Sequence, residues 1–375
     1  MKMLDVIIVG AGAAGIGMAN VLKDLGIDSY VVLEQGTVGA SFQKWSKGMR
    51  FITPSFTSNN FGSPDLNAIT YNTSPAYTLK SEHPTGEEYS HYLRGVVKGF
   101  DLHVLEETEV FSVKKVSAGF VLDTSRGEMS SKLVIWAAGE FFYPKTDSIV
   151  GQEHTIHNTQ VEDWQNLEGD EFTILGGYES GIDAAFHLTK LGKKVRVYDV
   201  HQTWEEKDSD PSVALSPFTL QRIRKAMQTG NLGLNSGIVF ARVEKNNGHF
   251  TIRGEDLEEN AVEITSPTKP ILATGFSGSL EMVKDFFEFD EDGKYALLKE
   301  ENDESTITDG LYLVGSQVKH GEALFCFIYK FRQRFAVVGK SIGEHLKIDT
   351  EPLEEYRRRG MYLDDLSCCR DQCEC

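Results

Sequence analysis

Gly10, Gly12 and Gly15 stand in G-x-G-x-x-G spacing near the start of this 375-residue chain. Glycines at that spacing have separate duties: the first permits a tight turn, the second lets backbone approach a pyrophosphate, and the third lets a helix pack close to a strand. Glu34 ends the next apolar run, where a carboxylate accepts hydrogen bonds from a ribose. The chemistry implied is dinucleotide recognition, with the pyrophosphate at a helix N-terminus. The pattern recurs: Gly176 and Gly181 bound the stretch GGYESG, and a later strand pattern ends on Asp199. Two strand ends of small residues, WAAG and ILATG, close on Gly139 and Gly275, and a further strand, GLYLVGS, closes on Gly315 and Ser316. Of five cysteines, Cys368, Cys369, Cys373 and Cys375 fall in the last eight residues. Such a cluster suits a soft metal such as Zn(II) or Cu(I), or a dithiol–disulfide cycle, and its spacing decides neither.

The elements that must position these groups follow from the apolar pattern. Residues 6–9 read as a buried parallel strand, followed by a helix to Gly26 and a strand over 30–33. A long stretch rich in Gly, Ser, Thr, Asn and aromatics comes next, and a loop of that length in a compact domain is usually functional. A helix is expected over 87–97 and strands over 110–116, 120–124 and 133–137. The second set repeats this order: a strand at 172–175, a helix to 191, a strand at 195–198, and strands at 239–244, 250–253, 261–264 and 271–275. Strand, glycine turn, helix, strand and acid, then a meander and a small-residue strand end, occur twice, which marks an internal duplication. A strand at 310–316 and a long helix over 323–346 complete the pattern, and residues 349–375 read as a polar arm.

The expected fold is therefore α/β, with two doubly wound Rossmann-like nucleotide-binding domains, the second inserted into the first, plus a C-terminal cysteine-rich arm. Residues 1–150 and 276–348 would form a discontinuous FAD-binding domain, residues 151–275 an NAD(P)-binding-like domain, and residues 349–375 the arm. Two dinucleotide folds imply two dinucleotides, and the economical pairing is FAD in the first and NADH or NADPH in the second. A length of 375 residues exceeds one ordinary core. With 56 acidic against 38 basic residues the formal net charge is −18, which argues against nucleic acid and anionic membrane as partners. Asp5 and the glycines break the apolar N-terminus, which is shorter than the ~20 residues a membrane helix needs. The expected setting is cytoplasmic, with a small-molecule substrate and a homo-oligomeric assembly.

These motifs resemble the two-dinucleotide-domain flavoproteins: thioredoxin reductase-like enzymes and, more closely, flavin-containing monooxygenases, over most of the chain up to about Leu346. The stretch GASFQKWSKGMRFITPSFTSNNF resembles the segment after the FAD fingerprint, in which a glycine, aromatics (here Trp45 among them) and an arginine (here Arg50) precede a serine–asparagine pair near the flavin, matched by Ser58 and Asn59. The passage YSHYLRGVVKGFDL followed by TEVFSV is similar to the family's helix–strand passage. Gly151 and His157 match part of the signature F-x-G-x-x-x-H-x-x-x-aromatic, with Ile149 and Val161 at its aromatic positions. The resemblance implies that Gly10, Gly12, Gly15 and Glu34 hold FAD and that Asn59 holds the flavin edge. It also implies that the last helix points its N-terminus at the flavin, which makes Lys319 and His320 catalytic candidates. Three departures stand out: Tyr178 occupies the middle glycine position of the second fingerprint, Ser316 stands where the family has an aspartate, and no C-x-x-C is present.

The function implied is that of an FAD-dependent, NAD(P)H-linked oxidoreductase of the flavin monooxygenase-like group. Two alternatives remain at this point: a thiol/disulfide reductase that uses the terminal cysteines, and a flavin-containing redox or soft-metal sensor. Asp199 favours a ribose 2′-OH and repels a 2′-phosphate, so NADH is expected to be preferred to NADPH.

Overall fold

The computed structural model describes residues 3–56, 64–208, 210 and 212–367. They form two compact units: one from the described residues of 1–43, 54–142 and 278–375, the other from residues 44–53 and 143–277.

The first unit contains β1 (Leu4–Val9), β2 (Tyr30–Leu33), β3 (Val104–Leu105), β4 (Val110–Val116), β5 (Gly119–Thr124) and β6 (Met129–Trp136). The second contains β7 (Ile156–His157), β8 (Glu171–Leu175), β9 (Lys194–Tyr198), β10 (Leu232–Asn235), β11 (Ile238–Asn246), β12 (His249–Asp256), β13 (Ala261–Ser266) and β14 (Ile271–Leu272). The chain then returns to the first unit with β15 (Leu311–Leu313). The helices are α1 (Ala13–Asp24), α2 (Ala40–Gln43), α3 (Pro75–Leu79), α4 (Gly86–Gly99), α5 (Glu179–Lys190), α6 (Pro217–Gln228), α7 (Ile328–Leu346) and α8 (Glu354–Arg358).

In the first unit the strands β3-β2-β1-β6-β15 lie parallel in that order. The C-terminal half of β6 pairs with β15, while its N-terminal half pairs antiparallel with β5, which carries β4. Val6, Ile7 and Ile8 are fully buried, as a parallel strand covered on both faces requires. The helix α4 forms because Tyr89, Tyr92, Leu93 and Val96 fall on one buried face. Its start is fixed by a capping box between Thr85 and Glu88.

In the second unit β10-β9-β8-β14-β7 are all parallel, and β11-β12-β13 form a separate antiparallel meander. The two parallel sheets thus share one order over four strands. The fifth place differs in origin: β15 fills it from the C-terminal side of the chain, β7 from the N-terminal side. Residues 44–53 join this unit through backbone, where Lys47 N–H donates to the Glu162 carbonyl at 2.7 Å and Ser46 Oγ to Val161 at 2.6 Å.

The described part of the C-terminal arm is docked on the first unit. Leu353, Tyr356, Met361 and Leu366 are buried. Tyr356 donates its hydroxyl to Asp24 at 2.7 Å and accepts from Asn20 at 3.1 Å, and Arg334 Nη1 donates to the Leu363 carbonyl at 2.6 Å. Among the described residues, no helix is long and apolar enough to cross a membrane.

Candidate functional site

The glycine loop of the first unit is closed except at one point. Gly10 has φ +103°, and a Cβ there would stand 2.5 Å from the Ala137 carbonyl oxygen. A Cβ at Gly15 would overlap the Gly10 carbonyl oxygen. A Cβ at Gly12 would meet nothing within 4 Å. Gly12 is extended and caps α1 without a side chain, so the first N–H groups of the helix face the opening. Glu34 is buried beside it, accepting from Ala11 N–H at 2.8 Å and Gly36 N–H at 2.9 Å. Burial raises the Glu34 pKa, and these two N–H groups work against that rise.

Two strand ends close around the same loop. After β6 the chain turns through Gly139 (φ +66°) to Glu140, and after β15 through Gly315 (φ +105°) to Ser316. A Cβ at Gly315 would stand 3.1 Å from Ala14 Cβ, in the first turn of α1. Ser316 donates its hydroxyl to the Glu140 carboxyl, whose pKa burial raises. The junction is braced: Trp136 Nε1 donates to Ser279 Oγ at 3.0 Å, and Ser279 N–H to the Gly139 carbonyl at 3.1 Å. Glu140 was not singled out from the sequence. Its signal was an acid directly after a small-residue strand end, AAGE.

Lys319 and His320 lie on a short hairpin with Ala323–Leu324. The Lys319 ammonium sits 4.7 Å above the Tyr295 ring. His320 Nε2 is 2.6 Å from Asp303 Oδ1, and Arg334 grips the same carboxylate through Nε at 3.1 Å and Nη2 at 2.7 Å. Asp303 is fully buried. Burial pushes its carboxyl up, but the Arg334 charge and the His320 and Arg334 hydrogen bonds outweigh that and hold it below the usual range. Asn59 and Ser58 lie outside the described residues. On the C-terminal side of that segment, Arg332 donates to the Asp65 carbonyl, to Ala68 at 2.7 Å and to Pro64 at 3.3 Å. Burial lowers the Arg332 pKa to about 10.

The loop of the second unit repeats the first with one change. A Cβ at Gly176 (φ +107°) would overlap the Ala273 carbonyl oxygen, and one at Gly181 the Gly176 carbonyl oxygen. Asp199 accepts from Gly177 N–H and from His201 N–H at 2.8 Å. Tyr178 caps α5 with φ −88° and ψ −163°, close to the −82° and −168° of Gly12 at α1. The backbone is thus conserved between the loops, and a side chain occupies the opening. The Tyr178 hydroxyl donates to the Ala214 carbonyl at 3.0 Å, Thr203 donates to the Gly177 carbonyl at 2.8 Å, and Glu179 accepts from Ser216 N–H at 2.6 Å. His157, buried on β7, stands 3.2 Å from the carbonyl of Gly275 (φ +79°), and burial lowers its pKa. Trp45 and Arg50 belong to this second unit. Cys368, Cys369, Cys373 and Cys375 lie outside the described residues. Among the described residues, no group of three or more His, Cys, Asp or Glu could hold a metal ion.

A family model described as pyridine nucleotide-disulphide oxidoreductase matches residues 7–315. The chain belongs to that family. It is 28% identical over 196 residues to the uncharacterized oxidoreductase CzcO of Bacillus velezensis, a match covering 50% of this chain and 52% of the relative. The chain thus spans about half the length of that curated relative. Among solved structures it is similar to the bacillithiol disulfide reductase Bdr of Staphylococcus aureus (TM-score 0.73, 21% identity, 92% of this chain and 99% of that one). It is also similar to a flavin-containing monooxygenase from Stenotrophomonas maltophilia (TM-score 0.66, 16% identity, 92% and 100%). At these identities the structural likeness is one of fold.

Pyridine nucleotide-disulphide oxidoreductases are implied to bind FAD and NAD(P)H, and the two loops differ in how they fit them. The first fits FAD: Gly12 is an open cradle at an uncapped helix N-terminus, with the Glu34 carboxylate beside it. The second keeps the frame for a nicotinamide nucleotide in Gly176, Gly181 and Asp199, while Tyr178 narrows the approach of a pyrophosphate.

Proposed function

We propose that the protein is an FAD-dependent, NAD(P)H-linked oxidoreductase of the flavin monooxygenase-like group, acting on a small molecule. The observation that carries the reading is the glycine loop that is open only at Gly12 and is repeated, with its acid, in the second unit. Gly12 and the first turn of α1 receive the FAD pyrophosphate, and Glu34 receives the ribose. In the second unit Asp199 receives the adenosine ribose and disfavours a 2′-phosphate on it, so NADH is the preferred reductant. FAD, held by Gly12, the first turn of α1 and Glu34, would supply the redox chemistry between the nicotinamide and the acceptor. The protein's part is to hold, orient and shield these groups.

Cys326 is the single cysteine among the described residues, so those residues contain no dithiol pair. This favours an oxygen-using acceptor route over a disulfide route in the body of the protein. The family description and the likeness to Bdr support a second reading, in which the terminal cysteines relay electrons to a disulfide. Turnover under ¹⁸O-labelled dioxygen separates the two. Label in an oxygenated product supports the monooxygenase reading. Anaerobic disulfide reduction that disappears when the last eight residues are removed selects the thiol route instead.

A further inference from the structure

His320 has one ring nitrogen tied and, among the described residues, one without a partner. Nε2 lies 2.6 Å from Asp303 Oδ1. That carboxylate is fully buried and also takes Arg334 Nε and Nη2, so it serves as an acceptor and Nε2 carries the hydrogen. Nδ1 then keeps a lone pair. It is not one of the sealed polar atoms of the described residues, so it stays reachable from outside. The side chain is otherwise enclosed, 7% exposed against 0% for Asp303. The brace behind it is fixed: Asp303 has φ +57°, a left-handed backbone held by its N–H to the Lys299 carbonyl at 2.9 Å and its carbonyl to Leu313 N–H at 3.1 Å. A histidine set in one tautomer by a carboxylate on its far nitrogen is the arrangement that supports a metal ligand. Lys319, on the other face of the hairpin, has its ammonium over the Tyr295 ring.

The described residues alone offer no group of three such ligands. The chain's own thiols begin nearby. Leu363 is fixed beside α7 by its N–H to the Gln333 carbonyl at 3.0 Å and its carbonyl to Arg334 Nη1 at 2.6 Å. From that carbonyl to His320 Nε2 runs a relay of three hydrogen bonds, of 2.6, 2.7 and 2.6 Å, through the Arg334 guanidinium and Asp303 Oδ1. Cys368 comes five residues after Leu363, and five residues extend up to about 18 Å. Cys369, Cys373 and Cys375 follow it, so several thiols lie within reach of Nδ1. One imidazole nitrogen with thiolates around it is the donor set of a closed, tetrahedral Zn(II) site.

We propose that His320 Nδ1 and three thiolates from among Cys368, Cys369, Cys373 and Cys375 form a Zn(II) site, with Asp303 orienting the imidazole from behind. Each coordinating thiol releases its proton to water as the metal–sulfur bond forms. The site stands apart from the flavin reading, and neither depends on the other.

The test is titration of the reduced full-length protein with Zn(II) against a chromogenic chelator, and with Co(II) followed by its visible d–d bands. The wild type should take up a single ion. His320→Gln keeps an N–H for Asp303 but has no ring nitrogen. It should lose more affinity than the roughly 10–100-fold that removing an outer-shell partner costs, and its Co(II) bands should shift. Truncation after Leu366 should abolish binding. X-ray absorption of the zinc-loaded wild type needs no variant, and it should show one nitrogen at about 2.0–2.1 Å and three sulfurs at about 2.3 Å. Four sulfurs around the zinc, equal affinity in H320Q and the wild type, binding that survives the truncation, or no stoichiometric uptake by the reduced wild type overturns the site.

Discussion

A methyl group added at Gly12 meets open space, and one added at Gly15 meets the Gly10 carbonyl. The two glycines should therefore fail differently. Gly12→Ala should leave the apoprotein's stability within about 1 kcal/mol of the wild type, the scale of an N-cap change, while weakening FAD binding. Gly15→Ala should destabilise the fold by about 1–3 kcal/mol or more, because backbone rather than a flexible side chain blocks the new atom. Denaturant melts of stripped protein and FAD titrations check both, and equal effects of the two substitutions on stability would contradict these assignments. Asp303 makes a second case. Its folded pKa lies below the ordinary value, so the stability it contributes is present above that value and is lost as pH falls through the folded pKa. Asp303→Asn should cost about 3–5 kcal/mol at neutral pH by leaving Arg334 buried without its partner. It should also flatten the acid-side slope of melting temperature against pH, and an unchanged slope would refute this. Tyr178→Gly should tighten nicotinamide-nucleotide binding severalfold by opening the second loop as the first is open; weaker binding would mean that the tyrosine itself contacts the nucleotide. At this scale the glycines and the acids Glu34 and Asp199 were legible because each is a local demand of one turn. The partners of His320 and Arg334 were not, because Asp303 is remote in sequence and no local pattern announces it.

At the level of elements, the duplication was legible in the recurrence of glycine turn, helix, strand and acid, and both sheets do share one order over four strands. What periodicity could not give was β7, two residues long and outside any apolar run, which fills the place that β15 fills in the first sheet. The allegiance of residues 44–53 was also hidden, since their ties to Val161 and Glu162 run through backbone and one serine hydroxyl. The C-terminal arm is polar except at Met361, Tyr362, Leu363 and Leu366, the side chains able to dock it, and of these Met361 is fully buried and Leu366 nearly so. Truncation after Leu366 should therefore leave flavin content and melting temperature nearly unchanged. Truncation after Gly360 removes both side chains and the Leu363 carbonyl that Arg334 uses, and should cost about 3–6 kcal/mol from the two side chains alone. Thermal melts of the two truncations decide this, and equal melting temperatures would show that the docked segment adds nothing.

For the whole molecule, the function proposed above is that of a small-molecule redox catalyst, a reading that the charge of −18 and the two dinucleotide folds support. The central claim is that FAD in the first unit takes its electrons from a nicotinamide nucleotide in the second. It is tested most directly by mixing the purified full-length protein with NADH, and separately with NADPH, in an anaerobic stopped-flow instrument while following the visible absorbance of bound flavin. The account predicts that the protein carries FAD and that NADH bleaches it, faster than NADPH does. A protein that neither carries nor takes up FAD, or a bound flavin that stays oxidised with both nucleotides, would contradict it.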